Sequence, residues 1–216
     1  QTIHDTILQI TSGNAGVLRL GMTNTFARFT MAPFINLYRS IYTHVNFEML
    51  TGNSAHVIDL CESGQIHVGF IRGESQGHFE KFFIKSDQAV LVSKTQIALQ
   101  DLPSMPQICY ITDPFSKKLL DQWWHEWFQT PPMIGLQVNH GDTCREMIMN
   151  GLGYGIFLSP EFFANEPSLF QMPLFYKDGT PLTRNSWMIW RKESEATPLV
   201  QNFINYIKEN SLYSET

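Results

Sequence analysis

What this chain lacks sets its outer bounds. No apolar run in its 216 residues approaches the roughly 20 that a bilayer-spanning helix needs, and no charged start followed by an apolar core marks a signal peptide. Cysteine is scarce: Cys61, Cys109 and Cys144 make an odd number without metal-type spacing. That excludes a disulfide framework, fits a reducing compartment, and makes the cytoplasm the expected location, with no membrane association. Positive charge is also thin, with 15 Lys and Arg against 20 Asp and Glu, a net charge of −5 and no basic stripe. Nucleic-acid affinity comes chiefly from neutralising phosphates, so this chain alone is expected to bind DNA poorly. Glycine-rich phosphate-cradling motifs are absent. His140 and Cys144 lie four apart and His125 adjoins Glu126, but neither pair supplies three convergent metal ligands. Neither a cofactor nor a metal site is expected.

What is present is a repeated unit near the start. Gly16-Val17-Leu18-Arg19-Leu20-Gly21-Met22 is a short apolar run, followed by the polar Thr23-Asn24-Thr25. Phe26, Phe29, Pro33, Phe34, Leu37, Tyr38 and Ile41 then recur at three- and four-residue steps, which predicts one buried helix face. Asn24 or Thr25 is expected to cap that helix, and Pro33 inside it to kink the axis by deleting a backbone hydrogen bond. Val45 to Leu50 forms a second apolar run. Ser54 can cap a second helix through Ala55, Val57, Ile58 and Cys61, which Gly64 stops, and Ile66 to Ile71 reads as a third strand. Three strands with two crossovers imply a parallel sheet buried on both faces. The helix starts of such units open at the carboxyl ends of the strands, where small molecules bind.

The rest of the chain supplies a second cluster. Ala89 to Ser93, Gln107 to Thr112 and Ile134 to Val138 read as strands, and Ser116 to Phe128 as an aromatic-rich helix whose Trp123, Trp124, Trp127 and Phe128 are packing residues. Thr143 to Asn150 is a further helix ended by Gly151, Trp187 to Trp190 a return strand, and Pro198 to Asn210 a closing helix with Leu199, Phe203, Ile204, Tyr206 and Ile207 on one face. The two clusters, joined near 92–95 and again near 190–194, make a two-lobed α/β body with a cleft between lobes. Residues 13–93 and 194–216 are assigned to the first lobe and 94–193 to the second. Ile3, Ile7 and Ile10 have helical spacing, so residues 1–12 read as the end of a helix entering from a longer protein.

One enzyme motif competes. Gly73-Glu74-Ser75-Gln76-Gly77 matches the nucleophile-elbow pattern after an apolar strand, making a serine hydrolase using Ser75 the rival reading. Gly77 breaks the helix the motif requires, however, and no oxyanion-loop glycine cluster precedes it. No catalytic residue is therefore assigned.

The order Gly-Val-Leu-Arg-Leu-Gly from Gly16, then Asn36-Leu37-Tyr38-Arg39, Ser63-Gly64-Gln65-Ile66-His67-Val68-Gly69-Phe70 and Gly151-Leu152-Gly153-Tyr154-Gly155 resembles the effector-binding domain of LysR-type transcriptional regulators. The resemblance covers residues 16–210, and residues 1–12 resemble the end of the linker helix that follows a winged helix-turn-helix. It implies a type 2 periplasmic-binding-protein-like fold, two α/β lobes joined by two crossing strands with an effector in the cleft. It also implies homodimers or homotetramers, with the helix around Phe34 to Ile41 of one subunit near the helix around Thr143 to Met149 of the other, and contact with promoter DNA only through the helix-turn-helix. The sequence departs from the family at His67, usually acidic and read here as an edge change, and in the late proline, Pro160. A transporter's solute-binding protein of the same fold is the alternative.

Helix N-termini present unpaired N–H groups and a partial positive charge, so an anionic effector can settle at them. Asn24-Thr25, Asn53-Ser54 and Asn139-His140 are such turns. Family effector sites use small polar residues in the first two, which match Asn24, Thr25 and Ser54, and sometimes a basic residue after the third strand, which matches Arg72. A guanidinium there suits a carboxylate. Arg184, before the return strand, is a weaker second candidate.

Overall fold

The computed structural model describes residues 8, 10–74 and 77–210. The chain divides into two compact units, one made of the described residues of Gln1–Lys85 and Asn185–Thr216, the other of Ser86–Arg184. The passages fall inside long strands rather than at 92–95 and 190–194.

Unit 1 is built on strands β1 (Ala15–Thr23), β2 (His44–Gly52) and β3 (Val68–Arg72) with the return strand β10 (Thr183–Trp190) and β4 (Glu80–Gln88), in the order β2-β1-β3-β10-β4. β1 pairs in parallel with β2 from Ala15↔His44 to Thr23↔Gly52 and with β3 from Leu20↔Val68, whereas β10 runs antiparallel to β3. The parallel trio is therefore present, but β2 is an edge strand with Met49 and Leu50 exposed. Burial on both faces holds for β3 and for Leu20 to Met22 of β1; it fails at Val17 and Arg19, which are exposed, and along β2, which topology places at the edge.

Helix α1 runs from residue 24 to 41 and contains a π-helical segment, Ala27–Met31, between α-helical Asn24–Phe26 and Ala32–Ile41. Pro33 explains it. Proline offers no N–H, and its ring collides with the carbonyl four residues back. A wider turn absorbs that conflict, with the Ala32 N–H donating to the Ala27 carbonyl five residues earlier. The expected kink takes the form of this π segment. Phe26, Met31, Phe34 and Tyr38 of α1 pack with Leu18, Leu20, Met22, Phe70 and Met188 and with Val200, Phe203 and Ile207 of the closing helix α5 (Pro198–Glu209) on one face of the sheet. On the opposite face, Val57, Leu60 and Cys61 of α2 (Ser54–Glu62) pack on Ile66, Ile71 and Ile189. Gly69 in β3 permits this close approach, since a Cβ there would lie 2.9 Å from Ile189 and 3.0 Å from Val57. Residues 8, 10 and 11 are helical; the remainder of the expected linker helix lies outside the described residues.

Unit 2 has β5 (Val90–Ser93) flanked antiparallel by β8 (Gly155–Phe157) and β9 (Phe170–Pro173), and a parallel pair β6 (Gln107–Tyr110) and β7 (Ile134–Val138). The crossover between β6 and β7 is α3 (Pro114–Trp127), which buries Trp123 and Trp124. The indole N–H groups of Trp123 and Trp127 both donate to the Phe175 carbonyl, at 2.8 and 2.9 Å. Packing accounts for those aromatics. Helix α4 (Gly141–Met149) starts two residues earlier than expected and buries Cys144 and Ile148. At Gly153, with φ +155°, a Cβ would overlap the Pro106 carbonyl oxygen, so this turn after α4 requires glycine.

Candidate functional site

The carboxyl ends of β1 and β3 in unit 1 bring five of the predicted residues to one place. β1 releases the chain at Thr23, whose hydroxyl accepts from the Phe26 N–H at 3.4 Å and is the N-cap of α1. Asn24 and Thr25, expected to cap, instead occupy the first turn, Asn24 exposed and Thr25 half-buried. The second cap is also displaced by one. Asn53 holds α2, its side-chain oxygen accepting from the His56 N–H at 2.8 Å. Ser54 is thereby released from capping, and its hydroxyl instead donates to the Arg72 carbonyl and accepts from the Arg72 N–H, both at 3.0 Å. Ser54 thus extends the hydrogen-bonding pattern at the end of β3, welding α2 to the residue that carries the guanidinium. As Arg72 is the last residue of β3 and only 6% exposed, it belongs to the strand and not to the loop after it.

The face on which Arg72 sits follows from alternation. Phe70, two residues earlier, stacks on Phe26 of α1 at 4.9 Å, so Phe70 and Arg72 lie on the face that α1 covers. Moving toward the end of β3, this face changes from apolar to cationic beside the first turn of α1.

In unit 2 the candidates behave differently. Arg184 is 9% exposed and forms an ion pair with Asp113, Nη2 to Oδ2 at 2.7 Å. Asp113 is the N-cap of α3, accepting from the Ser116 N–H and hydroxyl at 3.0 and 2.7 Å. Burial alone raises the Asp113 pKa, but the Arg184 guanidinium and the Ser116 hydrogen bonds outweigh it and hold the carboxyl below its ordinary value. Arg184 is therefore part of a structural ion pair. Asn139 and His140 are exposed at the start of α4, where His140 is the N-cap residue and makes no side-chain cap bond.

His67 is not a simple edge change. Its Nδ1 accepts from the Arg19 N–H at 3.2 Å while its own N–H donates to the Arg19 carbonyl at 2.8 Å, so the ring replaces a backbone acceptor of the β1–β3 ladder. Burial, with the neighbouring Arg19 and Arg191 charges, lowers its pKa and keeps it neutral. The buried thiols of Cys61 and Cys144 are pushed up to about 11 and about 12 by burial, which makes them inert. Among the described residues no cluster of His, Cys, Asp or Glu suits a metal and no helix is long and apolar enough to cross a membrane. Ser75 lies outside the described residues. β3 is followed by strand β4, however, and no helix stands between them among the described residues, so the strand-turn-helix context of a nucleophile elbow is not met.

An effector-binding α/β domain is what this fold and site define. The sequence matches the family described as LysR substrate binding domain over residues 11–211, and the chain belongs to that family. It is 31% identical over 209 residues to the HTH-type transcriptional regulator YraN of Bacillus subtilis (strain 168), a match that covers 96% of this chain and 72% of YraN. A second regulator of that organism, YkuM, is 25% identical over 211 residues, covering 97% of this chain and 72% of YkuM. The fold is similar to that of full-length CbnR complexed with its target DNA, with a TM-score of 0.75 at 17% identity over 97% of this chain and 73% of CbnR. It is also similar to the cofactor-binding domain of the Cbl transcriptional regulator, with a TM-score of 0.68 at 17% identity over 93% of this chain and 95% of that one. The chain is the effector-binding domain of a LysR-type transcriptional regulator, a type 2 periplasmic-binding-protein-like fold, and the family consists of regulators rather than enzymes.

Proposed function

We propose that this domain senses a small carboxylate, bound at the carboxyl ends of β1 and β3 against Arg72, the first turn of α1 with Asn24 and Thr25, and the start of α2 at Asn53 and Ser54. The observation that carries the reading is the placement of Arg72: a buried guanidinium, fixed through its backbone by Ser54, on the face covered by α1. Asn139, His140 and Arg184 are the further effector-contact candidates, Arg184 the weakest of them because Asp113 already matches its charge. The effector acts by population shift, binding one arrangement of the regulator better than another. DNA contact belongs to a helix-turn-helix domain outside these 216 residues, in the cytoplasm, since a domain of net charge −5 without a basic stripe neutralises few phosphates. Subunits pair through α1, with Leu37 and Ile41 exposed, and the α4 region, beside which Ile134 and Leu136 of β7 are exposed. Calorimetric titration of the chain against organic acids, amino acids and neutral analogues tests the reading. Binding confined to neutral apolar compounds overturns it.

A further inference from the structure

Ser186 belongs to no motif, yet its hydroxyl is the conspicuous polar group beside Arg72. It is fully buried, and its Oγ has no hydrogen-bond partner. A buried, unsatisfied hydroxyl is costly, and its retention asks for an explanation. The register supplies one. Ser186 in β10 is the antiparallel partner of Arg72, and the next pair along is hydrogen-bonded, the Gly73 N–H donating to the Asn185 carbonyl at 2.8 Å. Hydrogen-bonded and non-hydrogen-bonded pairs alternate in such a ladder, so Ser186 and Arg72 form the closely spaced kind with side chains together on one face. One step back on that face the pair is Met188 and Phe70, both in the apolar core under α1. At the strand end a methionine and a phenylalanine give way to a serine and an arginine.

We propose that Ser186 is a second ligand for the effector, its hydroxyl donating to one carboxylate oxygen while Arg72 engages the other. This rests on the anionic reading above and deepens it: a hydroxyl beside a guanidinium selects a planar two-oxygen anion over an amide of the same shape. Ser186 is then a specificity residue, its buried hydroxyl without a partner within the fold so that the ligand can supply one.

The test uses the 216-residue chain, titrated calorimetrically with two- to six-carbon carboxylates, the matching neutral amides, and sulfate as an inorganic control. Ser186→Ala is expected to weaken carboxylate binding roughly threefold to tenfold, as loss of one neutral donor does. It is also expected to raise the melting temperature of the ligand-free chain by about 2–4 °C, because an unsatisfied buried hydroxyl has been removed. Unchanged carboxylate affinity in Ser186→Ala, alongside weakened binding in Arg72→Gln, overturns the inference while the anionic reading stands. A lowered melting temperature also overturns it, since the hydroxyl would then have a partner within the fold. If the wild type binds only neutral amides, the anionic reading falls. The role of Ser186 falls with it, since that role is to select the carboxylate over the amide.

Discussion

Arg72 and Arg184 look alike in the sequence and are used differently in the two units. Both are strand residues and both are buried. Arg184 is matched by Asp113, a carboxylate 71 residues away in sequence, which is itself held by Ser116 at the start of α3. A charge so matched locks an element in place and is a poor seat for a second anion. Arg72 is fixed through its backbone by the two hydrogen bonds of Ser54, at a strand end where it pairs with Ser186 across the sheet. One arginine fastens the fold of unit 2. The other closes β3 in unit 1, its backbone tied to the start of α2.

The largest effect that separates them is on stability. Removing one partner of a buried ion pair leaves the other charge uncompensated, so Arg184→Ala is expected to cost about 3 kcal/mol in urea unfolding. The double variant with Asp113→Asn is expected to lose much less than the sum. The pH dependence follows from the lowered Asp113 pKa. A carboxyl held below its ordinary value of 3.8 contributes stability that is present above that value and lost as pH falls through the folded pKa. Wild type therefore loses an increment of stability below about pH 4 that Asp113→Asn lacks. If Arg184→Ala leaves unfolding unchanged and abolishes carboxylate binding, the roles are reversed.

Arg72→Gln is expected to weaken carboxylate binding roughly tenfold to a hundredfold by calorimetry, since a charge-assisted hydrogen bond contributes about 1.5–3 kcal/mol. Arg72 closes β3 and is buried, so the substitution is expected to cost some stability too, and glutamine, which keeps part of the stem, is a better test than alanine. A hundredfold loss here with no more than twofold in Arg184→Ala gives the contrast its sharpest form.

Ser54→Ala is a smaller and different perturbation. It removes two hydrogen bonds at once and leaves both the N–H and the carbonyl of Arg72 without that partner, so about 1–2 kcal/mol of stability is expected to go. Helix α2 is expected to keep its start, because Asn53 is the cap. Amide exchange at His56 checks the second point and is expected to be unaltered; faster exchange there would make Ser54 a cap after all.

The elements were legible because hydrophobic spacing reports local structure directly. The short apolar run of β1 and the three- and four-residue steps of α1 led to strand, helix and parallel order. The caps were each displaced by one because Thr23, Asn24 and Thr25 are all competent, as are Asn53 and Ser54, and the choice is made by where the strand releases the chain. The π segment was not legible, since it is a structural answer to Pro33 rather than a residue pattern. The exposure of β2 depends on which strand lies outermost. At the candidate site, Arg72 was singled out from the order of motifs. The Asp113–Arg184 pair joins residues 71 apart, and Ser186 is one strand serine among others until register sets it opposite Arg72. Long-range pairing carries both, and no local signal could have shown either.

The smallest expected effect concerns the histidines, which repeat the contrast between a group used by the fold and one left at the surface. His140 is exposed at the start of α4, while the His67 ring accepts the Arg19 N–H within the β1–β3 ladder. That bond needs a bare Nδ1, hence the tautomer with its proton on Nε2. Burial and the nearby Arg19 and Arg191 lower the His67 pKa from 6.5, so the unfolded chain binds the proton more readily than the folded one. The sign is opposite to that of a histidine with an acidic partner: the contribution is complete above pH 6.5 and is lost as pH falls from there toward the folded value. His67→Ala is expected to cost about 1 kcal/mol at about pH 8 and to flatten the decline of stability below pH 6.5, whereas His140→Ala, at an exposed position, is expected to leave stability at about pH 8 unchanged. Chemical unfolding at a series of pH values reads both variants. If His67→Ala retains the wild-type slope, the ring is not the acceptor that the β1–β3 ladder depends on, and the reading of His67 as part of the sheet fails.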